Sequence, residues 1–187
     1  MFRSIIKPDN VDQVLMELRA STEKLFDFSG TNFALLHAHC FTDIFSALSF
    51  LPHMFSLRLN NCRIDENSAA HIDTLALGIM TATNMESFEF MRSISGRCSA
   101  EFSEAVLLRI AESLIRNHNV KTIKIDGYRV TPPTVCEILK NHPTAIYVFV
   151  DGLPKSSQYG FFKPASNEVV SSEPNVETPT VKYAGKK

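Results

Sequence analysis

Apolar residues two positions apart recur along the chain and divide it into five short strands, each with one side for a core and one for solvent. The pairs are Phe26 and Phe28, Leu57 and Leu59, Phe88 and Phe90, Ile123 and Ile125, and Ile146 and Val148. They predict strands at 24–29, 56–60, 87–91, 122–126 and 145–150. Between the strands the apolar spacing becomes helical. Phe41, Ile44, Phe45, Leu48 and Leu51 share one helical face, and Pro52 ends that segment. Ile72, Leu75, Ile79 and Ala82 mark a helix at 67–82. Phe102, Val106, Ile110 and Leu114 mark another at 101–117, with Ser99 as its N-cap. Val135, Ile138 and Leu139 mark a short one behind Pro132 and Pro133. A first helix at 8–20 opens on Pro8 and Asp9 and gathers Val11, Val14, Leu15 and Leu18 on one side.

The strands repeat as well as alternate. The window around Leu57, Leu59, Cys62 and Ile64 superimposes on Phe26, Phe28, Thr31 and Phe33 when slid back by 31 residues. Slid forward by 31 it meets Phe88, Phe90 and Ser93, with Ile94 near the last slot. A fourth copy reads Ile123, Ile125, Tyr128 and Val130, and a fifth keeps Ile146 and Val148. A fixed period of this length means a stack of similar units rather than a globule around one central site. The expected organisation is a capping helix in 1–23, an array of about five units in 24–152, and a flexible tail in 153–187. The polar stretch 92–100 is the longest loop of the body. The tail is rich in proline and serine, with Phe161 and Phe162 as its candidate docking residues.

The unit L-x-x-L-x-L-x-x-C-x-I followed by a long helix resembles the leucine-rich repeat of the ribonuclease-inhibitor type. Met54, Leu57, Leu59, Cys62 and Ile64 carry the resemblance best; Met85, Phe88 and Phe90, and Val120, Ile123 and Ile125, repeat it. It implies an α/β fold: a short solenoid with parallel strands on the concave face and helices on the convex face. Phenylalanine replaces leucine in two strands, and Thr31, Cys62, Ser93 and Tyr128 stand where the family places asparagine. The array is thus short and divergent. Cys62 is expected to be buried and reduced in that slot.

Bulk composition narrows the function. At 187 residues the chain can bury a substantial core, and 14 Phe with no Trp make that core phenylalanine-based. A net charge of -1 gives no general attraction to nucleic acid or anionic lipid, so neither is an expected partner. No apolar run has the length of a membrane helix, and the first ten residues do not form a signal peptide. The 4 cysteines match no zinc spacing and are read as reduced thiols of a cytosolic protein. His37, His39 and Cys40, with Asp43 behind them, are read as surface histidines beside a core cysteine, because no fourth ligand converges on them. Gly-rich phosphate loops and nucleophile or zinc-protease motifs are absent from the sequence, so no cofactor, metal or enzymatic activity is expected.

The candidate site is the row of strand-centre residues: Asp27, Arg58, Glu89, Lys124 and Tyr147. On parallel strands about 4.8 Å apart these side chains line up on the open face with alternating charge. Two readings coexist, a ladder of lateral ion pairs that pins register and a strip that recognises a partner. Ser56, Ser87 and Thr122 flank the row on one side with Leu25 and Ala145; Ser29, Asn60, Met91, Asp126 and Phe149 flank it on the other. Methionine and aromatic anchors among polar neighbours suit a protein-binding surface. The function expected is therefore capture of another protein on the concave strands, with Asp27, Arg58, Glu89, Lys124 and Tyr147 at the centre and Ser56, Asn60, Met91 and Phe149 around them. The alternatives are a subunit or assembly factor of a larger complex, or a bacterial effector acting on host proteins by binding, its tail serving as a secretion address.

Overall fold

Period-two apolar pairs can satisfy one core only if their strands lie side by side, and the chain does this with parallel neighbours in sequence order. The structure, a computed structural model, describes residues 1–65, 68–91, 103–126 and 133–150, and the backbone of 161–162. The elements are β1 (Phe2–Arg3), α1 (Val11–Arg19), β2 (Leu25–Asp27), α2 (Ala38–Ser49), β3 (Phe55–Arg58), α3 (Ala69–Thr81), β4 (Met85–Met91), α4 (Glu104–Arg116), β5 (Thr122–Asp126), α5 (Pro133–Lys140), β6 (Tyr147–Val150) and β7 (Phe161–Phe162). Strand order follows the chain, with β1 to β6 parallel and β7 antiparallel to β6. Each helix packs on the next along one side of the sheet, giving a short leucine-rich-repeat-like solenoid with strands on the concave face and helices on the convex face. The expectations for the 92–100 loop, Ser93, Ile94, Ser99, Phe102, Tyr128, Val130 and the tail 153–187, save the backbone of 161–162, lie outside the described residues.

Register confirms the 31-residue period where it is strongest. Phe26, Leu57, Phe88 and Ile123 are successive partners across β2 to β5, and all four are fully buried against the helices. The second apolar file, Phe28, Leu59, Phe90 and Ile125, is buried as well. The Phe26 ring meets Phe55 edge-on at 5.5 Å, and Phe41 meets Phe45 at 4.8 Å. Each such ring removed from water contributes about 1.5–3 kcal/mol. Where α2 crosses α3, a Cβ on Gly78 would sit 2.6 Å from Phe45 Cβ. Glycine is what lets these two helices approach.

The turns repeat too. Gly30 (φ 81°) and Asn61 (φ 55°) occupy equivalent left-handed positions after β2 and β3, and glycine and asparagine tolerate that conformation best. The next residues, Thr31 and Cys62, point inward. Thr31 Oγ1 accepts the Ile6 amide at 3.1 Å, and Cys62 Sγ donates to the Phe28 carbonyl at 3.2 Å. Burial pushes the Cys62 thiol up from an ordinary 9.0 to about 12, against hydrogen bonds from the Thr31 and Gly30 backbone that favour the thiolate; the Asp27 charge also raises it. Burial raises the Cys136 thiol too.

Two features escaped the sequence pattern. β1 pairs with β2, Phe2 opposite Phe26 and Arg3 opposite Asp27, so a strand precedes the first helix. Two residues are too short to show an alternation. The second feature is a ladder along the helix C-termini, where last-turn carbonyls lack partners within their own helix. Asn84 Nδ2 donates to the Leu51 carbonyl at 2.6 Å; Asn117 Nδ2 donates to Ile79 and Ala82 at 2.7 and 2.9 Å. His142 Nε2 donates to Leu114 at 2.8 Å while its Nδ1 accepts the amides of Thr144 and Ala145, which fixes the neutral Nε2–H tautomer. His53 Nε2 meets the Glu23 carbonyl at 2.7 Å, a looser counterpart beyond the end of α1. Each unit thereby caps the one before it.

Candidate binding face

The open side of the sheet is set by the residues between the buried pairs. Partnering Arg3 with Asp27, Asp27 with Arg58, Arg58 with Glu89 and Glu89 with Lys124 makes one continuous row across β1 to β5. The signs alternate along it. Arg58 Nε lies 2.8 Å from Glu89 Oε2, a charge contact without hydrogen-bond alignment. Lys124 Nζ donates to Glu89 Oε1 at 3.1 Å. Arg3 Nε lies 3.8 Å from Asp27 Oδ2, and Asp27 Oδ1 accepts the Ser29 amide at 3.0 Å. The carboxylate side chains are only 11% and 9% exposed, whereas Arg3, Arg58 and Lys124 are 68%, 37% and 36% exposed. The row is therefore an ion-pair ladder in which the acids lie low and the cations form the outer surface.

Tyr147 is not in that row. Lys124 is partnered by Phe149, and Tyr147 stands opposite Thr122. The same two-residue displacement puts Val148 and Val150 in the core files, buries Ala145 and leaves Ile146 53% exposed. The cause lies in the last strand's alternation: Ile146, Val148 and Val150 have the same parity. A slip of one would turn the wrong face inward, but a slip of two keeps the apolar face inward and leaves no mark in the pattern.

The first flanking row thus reads Leu25, Ser56, Ser87, Thr122, Tyr147. Its four hydroxyl-bearing side chains are half-buried. Among the described residues no hydrogen bond engages the side chains of Ser56, Ser87 or Thr122, so their hydroxyls face solvent. The other flanking row is committed internally at one end: the Asn60 amide donates to Ser29 Oγ at 3.2 Å, and Asn60 Oδ1 accepts the Met91 amide at 2.9 Å. Met91 and Asp126 are opposite each other and half-buried. Sequence reasoning missed Arg3, whose only signal was its position one residue after an aromatic.

On the opposite side, α2 and α3 leave Phe50 83% and Leu77 53% exposed beside a shallow groove lined by Thr42, Phe45, Ser49 and Thr81. His39 Nε2 touches Cys40 Sγ at 3.2 Å and His37 stacks on His39. Among the described residues no group of three or more His, Cys, Asp or Glu side chains is placed to hold a metal ion, and no helix is long and apolar enough to cross a membrane.

No protein-family model matches the chain, and no curated protein matches it either. Two solved structures are similar in fold. One is leiomodin-1 actin-binding site 2, 18% identical, with 73% of this chain and 74% of that chain covered at a TM-score of 0.50. The other is the C-terminal domain of a Caenorhabditis elegans tropomodulin, 14% identical, with 80% of this chain and 87% of that chain covered at a TM-score of 0.49. Identity this low speaks to the fold alone.

Proposed function

We propose that the protein is a binding module that captures another protein on its concave strand face, acting by shape and charge rather than by catalysis. The observation that carries this reading is the in-register face itself: a charged row over β1 to β5 beside the unengaged hydroxyls of Ser56, Ser87 and Thr122. A rigid stack presents such rows without ordering a loop, which spares the entropy of binding. Tyr147 and Phe149 on β6 supply the aromatic anchors. We take the units as divergent ribonuclease-inhibitor-type repeats working in a reducing cytosol, host cytosol if the chain is a delivered effector. The leiomodin-1 domain is named for actin, so purified actin is a natural first ligand to offer.

The test places a photo-crosslinking residue at Ser87 on the concave face and, separately, at Thr74 on the helical face, in the cell of origin. Specific adducts from position 87 that vanish in the Tyr147→Ala and Arg58→Glu variants are expected. Adducts confined to position 74 would overturn the concave assignment. They would favour the second reading, a subunit or assembly factor docked through Phe50 and Leu77, the apolar residues that the helical face leaves exposed.

A further inference from the structure

The ion-pair ladder is not electrically symmetric toward solvent, and that asymmetry selects a partner. Asp27 and Glu89 are 8% and 7% exposed, each under a cation. What projects outward is the guanidinium of Arg3, the guanidinium of Arg58 and the ammonium of Lys124, three cations over two carboxylates. Beside them run the hydroxyls of Ser56, Ser87 and Thr122, which can donate to an oxyanion. Glu86 does not offset this, because Lys121 holds it at 2.9 Å. Asp126 lies at the far edge of the face and already has a partner. An approaching cation would meet other cations first and could not reach the recessed acids. An approaching carboxylate would meet charge-assisted donors, which bind it more strongly than neutral ones.

Resting on the binding reading above, we propose that the concave face takes an acidic, extended protein segment, with its carboxylates over Arg58 and Lys124 and along Ser56, Ser87 and Thr122. Phosphorylated side chains are not required: Arg58 and Lys124 stand two strands apart, about 9.6 Å, with single hydroxyls on β3, β4 and β5 beside them, so each cation meets a separate carboxylate of the segment.

The experiment selects binders to the full chain from a displayed library of random linear peptides at low salt, then measures one selected peptide by fluorescence anisotropy. Enrichment in Asp and Glu is expected. Binding should fall about tenfold in Arg58→Gln and in Lys124→Gln, and should weaken further as salt is raised. Each variant leaves Glu89 one cation, so the ladder and the fold persist; Arg109→Gln, on the convex side where Arg109 meets Asp73, should bind as before. Enrichment of basic or apolar peptides that still lose binding in Tyr147→Ala overturns the acidic partner while leaving the concave face as the site. Selected peptides indifferent to Arg58, Lys124 and Tyr147 alike overturn both. No enrichment at all overturns the acidic partner. Equal affinity for a random duplex DNA also overturns it, because the face would then read bare negative charge.

Discussion

Two ladders cross the stack, and they differ in what they are made of. Along the helix C-termini, Asn84, Asn117 and His142 tie each unit to the one before through neutral amide and imidazole donors, and Asn117 and His142 are 3% and 1% exposed. Along the concave face, Arg3, Asp27, Arg58, Glu89 and Lys124 tie the same units through charges whose cationic members face water. Loosening the buried ladder strands backbone groups away from solvent, the Ile79 carbonyl when Asn117 is lost and the Ala145 amide when His142 is lost, and that costs their desolvation. The ionic ladder gives up less when a single cation is removed, since Arg3, Arg58 and Lys124 face water and Glu89 keeps a second cation. Stability therefore rests on the helix side of the sheet. The strand side carries less of it, as the proposed recognition role requires.

The sharpest way to break this contrast is Asn117→Ala, which takes the Asn117 donor from the Ile79 carbonyl and leaves Ala82 only the Met85 amide. A loss of about 2–4 kcal/mol is expected, read as a fall in Tm of about 5–15 °C in a thermal melt. A shift no larger than that of a concave-face variant would equate the two ladders and remove the distinction. Arg58→Glu is the matched change on the other side, putting three acids in line on β2 to β4. Its expected cost is about 1–2 kcal/mol, with the loss shrinking as salt is added, because position 58 faces water and Lys124 stays on Glu89. A salt-independent loss would mean that the row is part of the core.

The contrast also explains which features were legible from residues alone. Buried apolar files announce themselves, because strand and helix periods differ and one face of each element must be dry. That is why Phe26, Leu57, Phe88 and Ile123 could be aligned by a 31-residue slide and were found as neighbours. Charges at strand centres follow from the same alignment, so Asp27, Arg58, Glu89 and Lys124 were placed with it. Tyr147 and Phe149 were exchanged because parity survives a slip of two; Gly152, four residues after Val148 as Gly30 is after Phe26, was the one sequence mark of the right register. The capping ladder stayed hidden for a different reason. Asn84, Asn117 and His142 stand at unequal spacings, and a polar residue after a helix reads like any loop residue until the neighbouring unit's carbonyls are beside it.

His53→Ala tests whether burial, rather than membership of the capping ladder, sets the cost. His53 makes the looser counterpart, to the Glu23 carbonyl, in a solvent-exposed setting. Water can take over there, so a loss of only about 0.5–1 kcal/mol is expected in chemical denaturation. A loss equal to that of Asn117→Ala would show that the geometry of the cap matters more than its dryness.

The smallest effect at neutral pH belongs to Cys62, which sits between the two ladders and belongs to neither. Serine in its place can donate to the Phe28 carbonyl as the thiol does, so Cys62→Ser should cost no more than about 1 kcal/mol. The thiol separates itself from its surroundings only in alkali. Its value is 9.0 in ordinary surroundings and about 12 in the fold, mainly through burial. Below 9.0 both the folded and the unfolded thiol hold their proton, and the group adds no pH dependence. Between 9.0 and about 12 the unfolded chain loses the proton while the native state keeps it. Stability then falls by about 1.4 kcal/mol for each pH unit from this group. Wild type and Cys62→Ser should therefore run parallel in stability up to pH 9 and diverge above it, the serine variant falling less steeply. Native Cys62 should also resist iodoacetamide at pH 8 and react once the chain is unfolded. Curves that stay parallel above pH 9, or native alkylation as fast as that of the unfolded chain, would show a thiol in contact with solvent.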